Sequence, residues 1–499
     1  MSATPDYLDP SALCTPKQAL NALKALRQDI EQEAEATFAE WKKTIARKEF
    51  EYSAKNFARY LALRRRDLRP LQSALLVLGL SSLGRSESRV LPNLDAVIAS
   101  LQAICNEKER IERPTTEEFF KGENVLKQNA DLTLGKAPDR RSVRIMVTLP
   151  ALAATNYDFV CRLLERGMNC ARINCAHDSP NEWEKMIHHV RRAEKSTGLS
   201  CKVFMDLAGP KVRTAKVSRP KEKTKKGDVI YLYAHRASPR YRHVQQVKCA
   251  LPEILPQVKE NDEVWIDDGH IGAVVEKASP SGLLLRVTSV EAKGRVIKPD
   301  KGLNFPTTEL DIEPLTEKDL RDLDFICEFA DGVNYSFVQD ANDVKRLQNE
   351  LAKRNAKRKQ PLALIAKIET KRAVGNFPEI VVQGAGKQPF GVMIARGDLA
   401  VEIGYQRIAE IQEELLWLSE AAHVPVIWAT QVLESLVKKG VPSRAEITDA
   451  AMAERAECVM LNKGEFILNA IEILDNVLMR MEQHQRKKTP QLRRLYSWE

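Results

Sequence analysis

A short apolar strand followed by an amphipathic helix recurs eight times from Ser142 onward, and this repeat limits the fold more than any other feature. Each apolar run ends on a polar residue, and helical stretches separate the runs. The predicted strands are residues 144–148, 170–174, 202–206, 333–337, 362–369, 390–398, 424–430 and 458–462. Eight such units predict an α/β fold, the (β/α)₈ or TIM barrel.

Two regions whose apolar residues follow a different pattern adjoin this repeat. Residues 1–141 carry apolar residues at helical spacing, which predicts an all-α N-terminal domain. Residues 215–299, after the third strand, contain β-like runs separated by the turn sequences DDG and SPSG, which predicts a small inserted β-domain. The barrel then comprises residues 142–214 and 300–485, and a basic tail follows at 486–499.

Charge and cysteine content narrow the classes of function. The net charge of +9, from 77 basic and 68 acidic residues, suits anionic small molecules as well as nucleic acid. The nine cysteines are scattered without a C-x-x-C pair, which disfavours a disulfide framework and a zinc site. Because no apolar stretch approaches a membrane span and the N-terminus lacks the basic start of a signal peptide, we expect a cytoplasmic protein.

Polar side chains stand at the carboxyl ends of the predicted strands, where barrels of this class carry their chemistry. In chain order they are Thr148, Arg172, Asn174, Asp206, Ser336, Lys367, Glu369, Arg396, Asp398, Thr430 and Asn462. Desolvating so many charges at one rim costs several kcal/mol unless a ligand or metal compensates. The pattern therefore indicates a binding site at this rim.

Glu369 and Asp398 end adjacent strands, and their carboxylates together suit one hard divalent cation such as Mg²⁺. Lys367 precedes Glu369 by two residues, so both side chains point to the same face of the strand. An ammonium beside a bound divalent cation suits a transferring phosphoryl group or a developing enolate, since both are anionic. This trio is the centre of the predicted site.

Four further residues extend the predicted site. Arg172 offers a guanidinium to a phosphate, and Arg213 is a second phosphate candidate. Gly397 lets a backbone N–H approach a ligand carboxylate closely. The hydroxyl of Thr430 suits either proton delivery or capping of the helix that follows, and the sequence leaves both interpretations open.

Several segments match, in the right order, the motifs of a known enzyme family. They are GMNCARINCAH (167–177), FMDLAGPKVRT (204–214), KGLNFP (301–306), IAKIET (365–370), VMIARGDLAVE (392–402), ATQVLESL (429–436) and VPSRAEITDAA (441–451). By these motifs the chain resembles pyruvate kinase over about residues 142 to 480, and the insert resembles the lid domain of that family. The helical N-terminal region has no counterpart in this resemblance.

The resemblance implies phosphoryl transfer from phosphoenolpyruvate to ADP, giving pyruvate and ATP, with Mg²⁺ or Mn²⁺ as cofactor. Arg172 would bind the phosphoryl group, Lys367 would stabilise it during transfer, and Thr430 would lie near the face of the enolate that is protonated. The substrate contacts implied by the motifs are Arg172, Lys367, Gly397, Asp398 and Thr430, the nucleotide contacts Asn174, His177, Arg213 and Lys301, and the metal ligands Glu369 and Asp398.

The chain departs from the family at the monovalent-cation site. Asn174 and Asp206 remain there, but Ala176 and Leu207 lack the family's hydroxyl groups, and Lys211 stands where the family has a glutamate. Members that work without K⁺ also resemble this chain in carrying a lysine, whose ammonium replaces the charge of the ion. We therefore predict K⁺ independence, with Lys211 as the replacement.

Two other departures concern the nucleotide and regulation. The sequences TLPALA (148–153) and MLNKGEF (460–466) replace family motifs and alter part of the nucleotide pocket. The family's C-terminal domain has no counterpart, so its sugar-phosphate control is expected to be missing. The expected partners are phosphoenolpyruvate and ADP or ATP, without membrane or nucleic acid. A homo-oligomer stays open, since part of the family's subunit contacts lies in the C-terminal domain.

Two alternative functions stay open on the sequence. A metal-dependent aldolase or mutase acting on a pyruvate enolate uses the same carboxylate pair, although the lid insert and Arg213 disfavour it. A non-catalytic regulator built on the same barrel would meet a partner through the helical region, for instance through the basic run 64–66. That run is also typical of a solvated helix face, and we assign it no chemistry.

Overall fold

The computed structural model describes Leu13, residues 15–354, Arg358 and residues 361–491. Residues 1–12 and 14 of the predicted helical domain, and 492–499 of the predicted tail, lie outside the described residues. The helices before the barrel are α1 Pro16–Lys42, α2 Glu51–Arg64, α3 Arg69–Val77, α4 Val90–Ile104 and α5 Thr116–Leu134. Local sequence sets their starts, since a Thr115 and Glu118 capping box begins α5.

The barrel begins with two strand–helix units and a third strand. These elements are β1 Arg144–Thr148, α6 Tyr157–Glu165, β2 Cys170–Asn174, α7 Pro180–Thr197 and β3 Lys202–Asp206. The lid follows with strands β4 Thr214–Val217, β5 Lys223–Thr224, β6 Val229–Tyr233, β7 Gln245–Cys249, β8 Glu263–Ile266, β9 Ile271–Ser279, β10 Gly282–Val290, β11 Arg295–Val296 and β12 Leu303–Asn304. The strand pairing of the lid thus extends from Thr214 to Asn304, slightly beyond the predicted insert.

The chain then returns to the barrel. The elements up to the sixth barrel strand are α8 Glu317–Phe329, β13 Gly332–Tyr335, α9 Ala341–Arg354, β14 Ala363–Ile368, α10 Lys371–Gly375, α11 Phe377–Ala385 and β15 Phe390–Ala395. Those that complete it are α12 Arg396–Ile403, α13 Ile408–Ala421, β16 Val426–Ala429, α14 Glu434–Lys439, α15 Arg444–Met452, β17 Cys458–Leu461 and α16 Ile467–Glu482. A short hairpin follows, made of β18 Gln485–Arg486 and β19 Thr489–Pro490.

Eight parallel strands close into a barrel in the order β1-β17-β16-β15-β14-β13-β3-β2, which confirms the predicted fold class. The lid forms a separate antiparallel-rich sheet in the order β12-β8-β9-β10-β6-β7-β4, with its own apolar core. The helical region and the outer layer of the barrel share one continuous apolar core, to which Leu20, Leu23 and Leu26 of α1 belong. The helical region is therefore packed onto the barrel.

One predicted strand was wrong at its end. The sequence predicted strand structure through Asp398, but β15 ends at Ala395 and α12 begins at Arg396. The first turn of α12 is stabilised from outside, because the Gly397 N–H donates to Oγ1 of Thr430 at 2.8 Å. Asp398 therefore lies in the first turn of a helix, where the helix dipole favours a carboxylate.

The helical region packs against the N-terminal face of the barrel through polar as well as apolar contacts. The Asn56 amide donates to Glu87 O at 2.7 Å and to Ala421 O at 2.8 Å. His423 is fully buried against Ser53, and burial lowers the pKa of His423 to about 4. These contacts fix α2 against the end of α13.

The basic run 64–66 is bound within the molecule. The Arg64 guanidinium lies 4.7 Å from the ring centre of Trp417, and both Arg65 and Arg66 pair with Glu33. These internal contacts account for the run without an external partner.

Two further features of the described residues concern the cysteines and the apolar character of the helices. The cysteines placed in the described part of the chain are all free thiols. No helix within the described ranges has the length and apolar character that crossing a membrane requires.

Candidate active site

The carboxyl ends of the barrel strands surround a cavity of about 280 Å³. The predicted site residues that line it are Arg172, Asn174, His177, Asp206, Lys211, Arg213, Lys367, Glu369, Asp398 and Thr430. Gly397 and Lys301 are not among its lining residues. Thr148, Ser336 and Asn462 of the predicted strand ends line it as well, whereas Arg396 does not. The barrel therefore brings most of the predicted set together, with three predicted members outside the wall.

Arg172 and Asp206 form a bidentate pair on adjacent strands. The Arg172 Nε and Nη2 donate to the two Asp206 oxygens at 2.9 and 2.7 Å, and Nη1 donates to the Thr148 hydroxyl at 2.9 Å. Burial alone would raise the pKa of Asp206, but the charges of Arg172 and Lys367 outweigh it and lower this pKa to about 2. Asp206 is therefore a fixed anion that orients Arg172, while one N–H on each terminal nitrogen of Arg172 stays free.

Lys367 is held by acceptors from three strand ends. Its Nζ lies 2.9 Å from Glu369 Oε1, 2.9 Å from Ser336 Oγ and 3.4 Å from Asp206 Oδ2. Burial lowers the pKa of Lys367, but the charges of Glu369 and Asp206 outweigh it and leave this pKa above its usual value. The side chain is therefore a permanent, oriented cation at the cavity wall.

Glu369 and Asp398 have the donor chemistry of a divalent-cation site. Glu369 is 3 % exposed, and its Oε2 accepts the Phe337 N–H at 2.7 Å. Burial raises the pKa of Glu369, Lys367 opposes this, and the charge of Asp398 raises it further, so this pKa is above its usual value. Two carboxylates that repel each other across one cavity gain from a shared cation.

The number of ligands restricts which cation fits. Within the described ranges, no group of three or more His, Cys, Asp or Glu side chains is placed to hold a metal. The pair of carboxylates therefore fits Mg²⁺ or Mn²⁺, which take one or two carboxylates and complete their shell with water and substrate oxygens.

The residues of the predicted monovalent-cation site form hydrogen bonds within the chain. Both Asp206 oxygens accept from Arg172, and Asp206 Oδ1 also accepts from the Asn334 amide at 2.7 Å. The Asn174 oxygen accepts the Ala176 N–H at 3.0 Å. The Lys211 Nζ lies 2.8 Å from Asp398 Oδ1, in the same cavity as Asn174 and Asp206, and its role as a replacement for K⁺ stays a prediction.

Thr430 sits in a strained turn that Arg396 holds. Its φ of +64° is unusual for a β-branched residue, and strain of this kind costs on the order of 1–3 kcal/mol. Arg396 donates to Ala429 O at 3.0 Å and to Thr430 O at 2.7 Å, and its guanidinium binds Asp449 through both terminal nitrogens. The Thr430 hydroxyl does not cap the following helix, since it accepts from the Gly397 N–H.

That contact changes the role expected of Gly397. The sequence predicted that its N–H approaches a ligand carboxylate, but here the N–H donates to Thr430. A Cβ on Gly397 would meet the Thr430 side chain only at 3.8 Å, so the protein itself leaves space at this position.

The predicted nucleotide contacts separate into two groups. His177 and Arg213 line the cavity together with Lys463, and burial, Lys463 and Arg213 together lower the pKa of His177. Asn174 lines it as well, with its side-chain oxygen turned to its own loop. Lys301 instead pairs with Asp267 of the lid at 2.8 Å.

Sequence reasoning missed three polar residues of this region. Lys463 follows the predicted strand end Asn462 and was visible as a basic insertion in MLNKGEF. Asn334 alternates with Ser336 along β13, a spacing that could have indicated a shared face. Asp449 carried no local signal, because its contact with Arg396 joins helices that are 53 residues apart in sequence.

Comparison with known proteins identifies relatives of the barrel and its insert. Residues 140–470 match the family model described as pyruvate kinase, barrel domain. The pyruvate kinase of Thermotoga maritima is 31 % identical over 356 residues, which cover 68 % of this chain and 71 % of that protein. Human pyruvate kinase PKLR is 33 % identical over 349 residues, covering 67 % of this chain and 58 % of that protein.

A solved structure is similar as well. The crystal structure of a pyruvate kinase from Cryptosporidium parvum superposes with a TM-score of 0.61 at 26 % sequence identity. The alignment covers 71 % of this chain and 72 % of that one. The family match begins at residue 140, so α1 to α5 lie outside it.

Proposed function

Because the chain belongs to the pyruvate kinase family, we propose that it transfers the phosphoryl group of phosphoenolpyruvate to ADP, giving pyruvate and ATP. The observation that carries this proposal is the Lys367 ammonium, held between Glu369 and Ser336 at the wall of a polar cavity. Such a cation suits a group whose negative charge is redistributed during transfer.

Two cations of the cavity bind and stabilise the phosphoryl group in this proposal. Arg172 presents its two free N–H groups, with its plane fixed by the bidentate contact to Asp206. Lys367 stays protonated throughout, because its neighbours hold its pKa above the usual value. Neither side chain needs to rearrange as charge develops, which is the condition for electrostatic stabilisation of a transition state.

Glu369 and Asp398 would hold Mg²⁺ or Mn²⁺, which when bound supplies positive charge to substrate oxygens. In this proposal the proton donor is a hydroxyl group of the chain itself. The Thr430 oxygen accepts from Gly397, so its own hydrogen is free to be donated into the cavity that it lines. We assign Thr430 to the delivery of a proton to the enolate of pyruvate.

The acceptor nucleotide binds at a second group of basic residues of the same cavity in this proposal. His177, Arg213 and Lys463 cluster there, and a polyanionic diphosphate suits such a cluster. Lysine at 463 adds a cation that the family motif does not supply, so it extends the predicted set of nucleotide contacts.

We also propose that the reaction does not require K⁺. Lys211 stands where the family has a glutamate, and its ammonium places a positive charge at the wall of the same cavity. Activity that rises steeply with KCl, at ionic strength held constant with tetramethylammonium chloride, would contradict this part of the proposal.

A coupled assay for pyruvate tests the main proposal. Phosphoenolpyruvate is supplied with Mg²⁺ and with ADP or other nucleoside diphosphates, and we expect pyruvate formation that depends on the diphosphate. Lys367→Met should reduce kcat by about three orders of magnitude or more, because a preorganised charge is removed from the transferring group. The matched control Lys353→Met, an exposed lysine paired with Glu350, should keep wild-type activity.

The same assay separates the alternative functions. Enolate chemistry without any dependence on a diphosphate would favour an aldolase or mutase. A folded protein without turnover under all conditions would favour a non-catalytic regulator.

A further inference from the structure

Lys211 lies between two carboxylates that belong to different domains. Its Nζ is 2.8 and 3.0 Å from the two oxygens of Asp398, on α12, and 3.6 Å from Oδ1 of Asp268, in the lid turn between β8 and β9. Of the Lys211 and Asp398 side chains, 18 % and 16 % are exposed, whereas 62 % of the Asp268 side chain is exposed. The closer partner is therefore the better buried one.

The surroundings hold both carboxylates within reach of the same ammonium. A Cβ on Gly302 would lie 3.0 Å from Lys211 Cε and 3.3 Å from Asp268 Oδ1, so a side chain at this position would crowd the pair. The hydroxyl of Tyr405 donates to Asp268 O at 3.4 Å and thereby ties the lid turn to the segment after α12. The Lys211 ammonium therefore lies within 3.6 Å of carboxylate oxygens from both domains.

We propose that Lys211 competes with the divalent cation for Asp398 and transfers to Asp268 when the cation binds. This inference rests on the metal site of the proposed function. An ammonium that donates to both oxygens of Asp398 engages the lone pairs that a metal needs, and its charge repels the incoming ion. Lys211 therefore sets the concentration at which the metal site fills.

The transfer also couples metal binding to the lid. Once displaced from Asp398, the ammonium gains a full ion pair with Asp268 in place of the present 3.6 Å contact. That new pair joins the barrel to the lid turn, so filling of the metal site strengthens a contact that holds the lid in place. The function of Lys211 is then a link between metal occupancy and lid position.

Binding of Mn²⁺ to the full chain without substrates, followed by electron paramagnetic resonance, tests this inference directly. Lys211→Met should lower the Kd for Mn²⁺ about tenfold, because a competing charge is removed. Asp268→Asn should raise it, because the displaced ammonium loses its second partner. In the double variant, Asp268→Asn should have no further effect on the Kd.

Lys202→Met is the matched control, because Lys202 lies 3.7 Å from Asp331 at the opposite end of the barrel, and the Kd should not change. Lys211→Gln gives the same comparison if the methionine variant does not fold. A wild type that binds Mn²⁺ as tightly as both Lys211 variants would overturn the competition and leave the proposed function intact. An equal effect of Asp268→Asn with and without Lys211 would overturn the transfer.

Failure of the wild type to bind Mn²⁺ at any concentration tested would overturn the metal site itself. The competition at Asp398 would fall with it. This outcome differs from the others because it also removes the support that the carboxylate pair gives to the proposed function.

Discussion

The two ends of the barrel both place acidic and basic side chains beside a cavity, but they use these charges differently. At the carboxyl ends of the strands, Arg172 and Lys367 are held by residues of the same barrel, and the cavity measures about 280 Å³. At the N-terminal face the cavity is larger, about 1200 Å³. There, Lys487 of the hairpin pairs with Glu457 of the barrel, and Lys488 pairs with Glu87 of the helical region.

The difference shows that cavity size alone does not locate the proposed site of chemistry. Charges at the N-terminal face join three separate parts of the chain, so they act as a clamp. Charges at the carboxyl ends of the strands converge within one rigid sheet and keep donors free for a ligand. Variants at the two ends should therefore divide into those that change activity and those that change only stability.

Asp206→Asn should have the largest effect, on both activity and stability. It leaves Arg172 and Lys367 as neighbouring buried cations, so the free energy of unfolding should fall by about 3 kcal/mol, and kcat should fall at least 100-fold. Asp475→Asn is the matched variant at the other end, since Asp475 accepts from buried Arg141 at 2.8 Å. Urea unfolding and the pyruvate assay should show equal stability losses, with activity kept only in Asp475→Asn.

Lys487→Met should reduce stability without reducing activity. The change leaves Glu457 buried without its cation, so the free energy of unfolding should fall by about 2 kcal/mol. The cavity at the carboxyl ends of the strands is unaffected. Thermal unfolding followed by circular dichroism measures the loss, and kcat is measured well below the transition. A drop in kcat at that temperature would mean that the two ends are coupled.

Asp449→Asn should lower kcat about tenfold with little change in the free energy of unfolding. Its carboxylate holds Arg396, which in turn holds the carbonyls of Ala429 and Thr430 in their strained turn. Because Asp449 positions the turn and does not contact the substrate in this proposal, the KM for phosphoenolpyruvate should change little. Asp449→Glu should restore part of kcat. An unaltered kcat in Asp449→Asn would show that the turn at Thr430 keeps its conformation without the Asp449 carboxylate.

Glu420→Gln should produce the smallest effect, a change in how stability depends on pH. Burial and then the charge of Glu87 raise the pKa of Glu420 from 4.5 to about 7. Between these values the folded state binds more protons than the unfolded chain, so stability falls as pH rises from about 4.5 to 7. Urea titrations of the variant at several pH values should show a smaller dependence of the free energy of unfolding on pH. The remaining dependence should come from Glu454, whose pKa is also raised to about 7.

Sequence reasoning recovered the parts of the molecule that depend on local pattern. The apolar runs predicted every barrel strand, and strand ends such as Lys367 and Glu369 lie at the cavity because parallel strands of a barrel share one rim. The pattern misplaced the end of β15, since the start of α12 depends on Thr430 from another strand. Local signals do not encode that distant cap.

Pairings between distant charges were likewise beyond the sequence. Lys211 could have served several carboxylates, and its pairing with Asp398 joins residues 187 positions apart in sequence. The clamp of Lys488 on Glu87 joins residues 401 positions apart, and no periodicity indicates it. Such contacts follow from tertiary geometry, after the elements are in place.

The clamp at the N-terminal face has a consequence for the order of synthesis. Helices α1 to α5 leave the ribosome first, yet their partners His423, Trp417 and Lys488 are made near the end of the chain. The packing of α1 and α2 against the barrel is therefore completed only after most of the barrel has been translated.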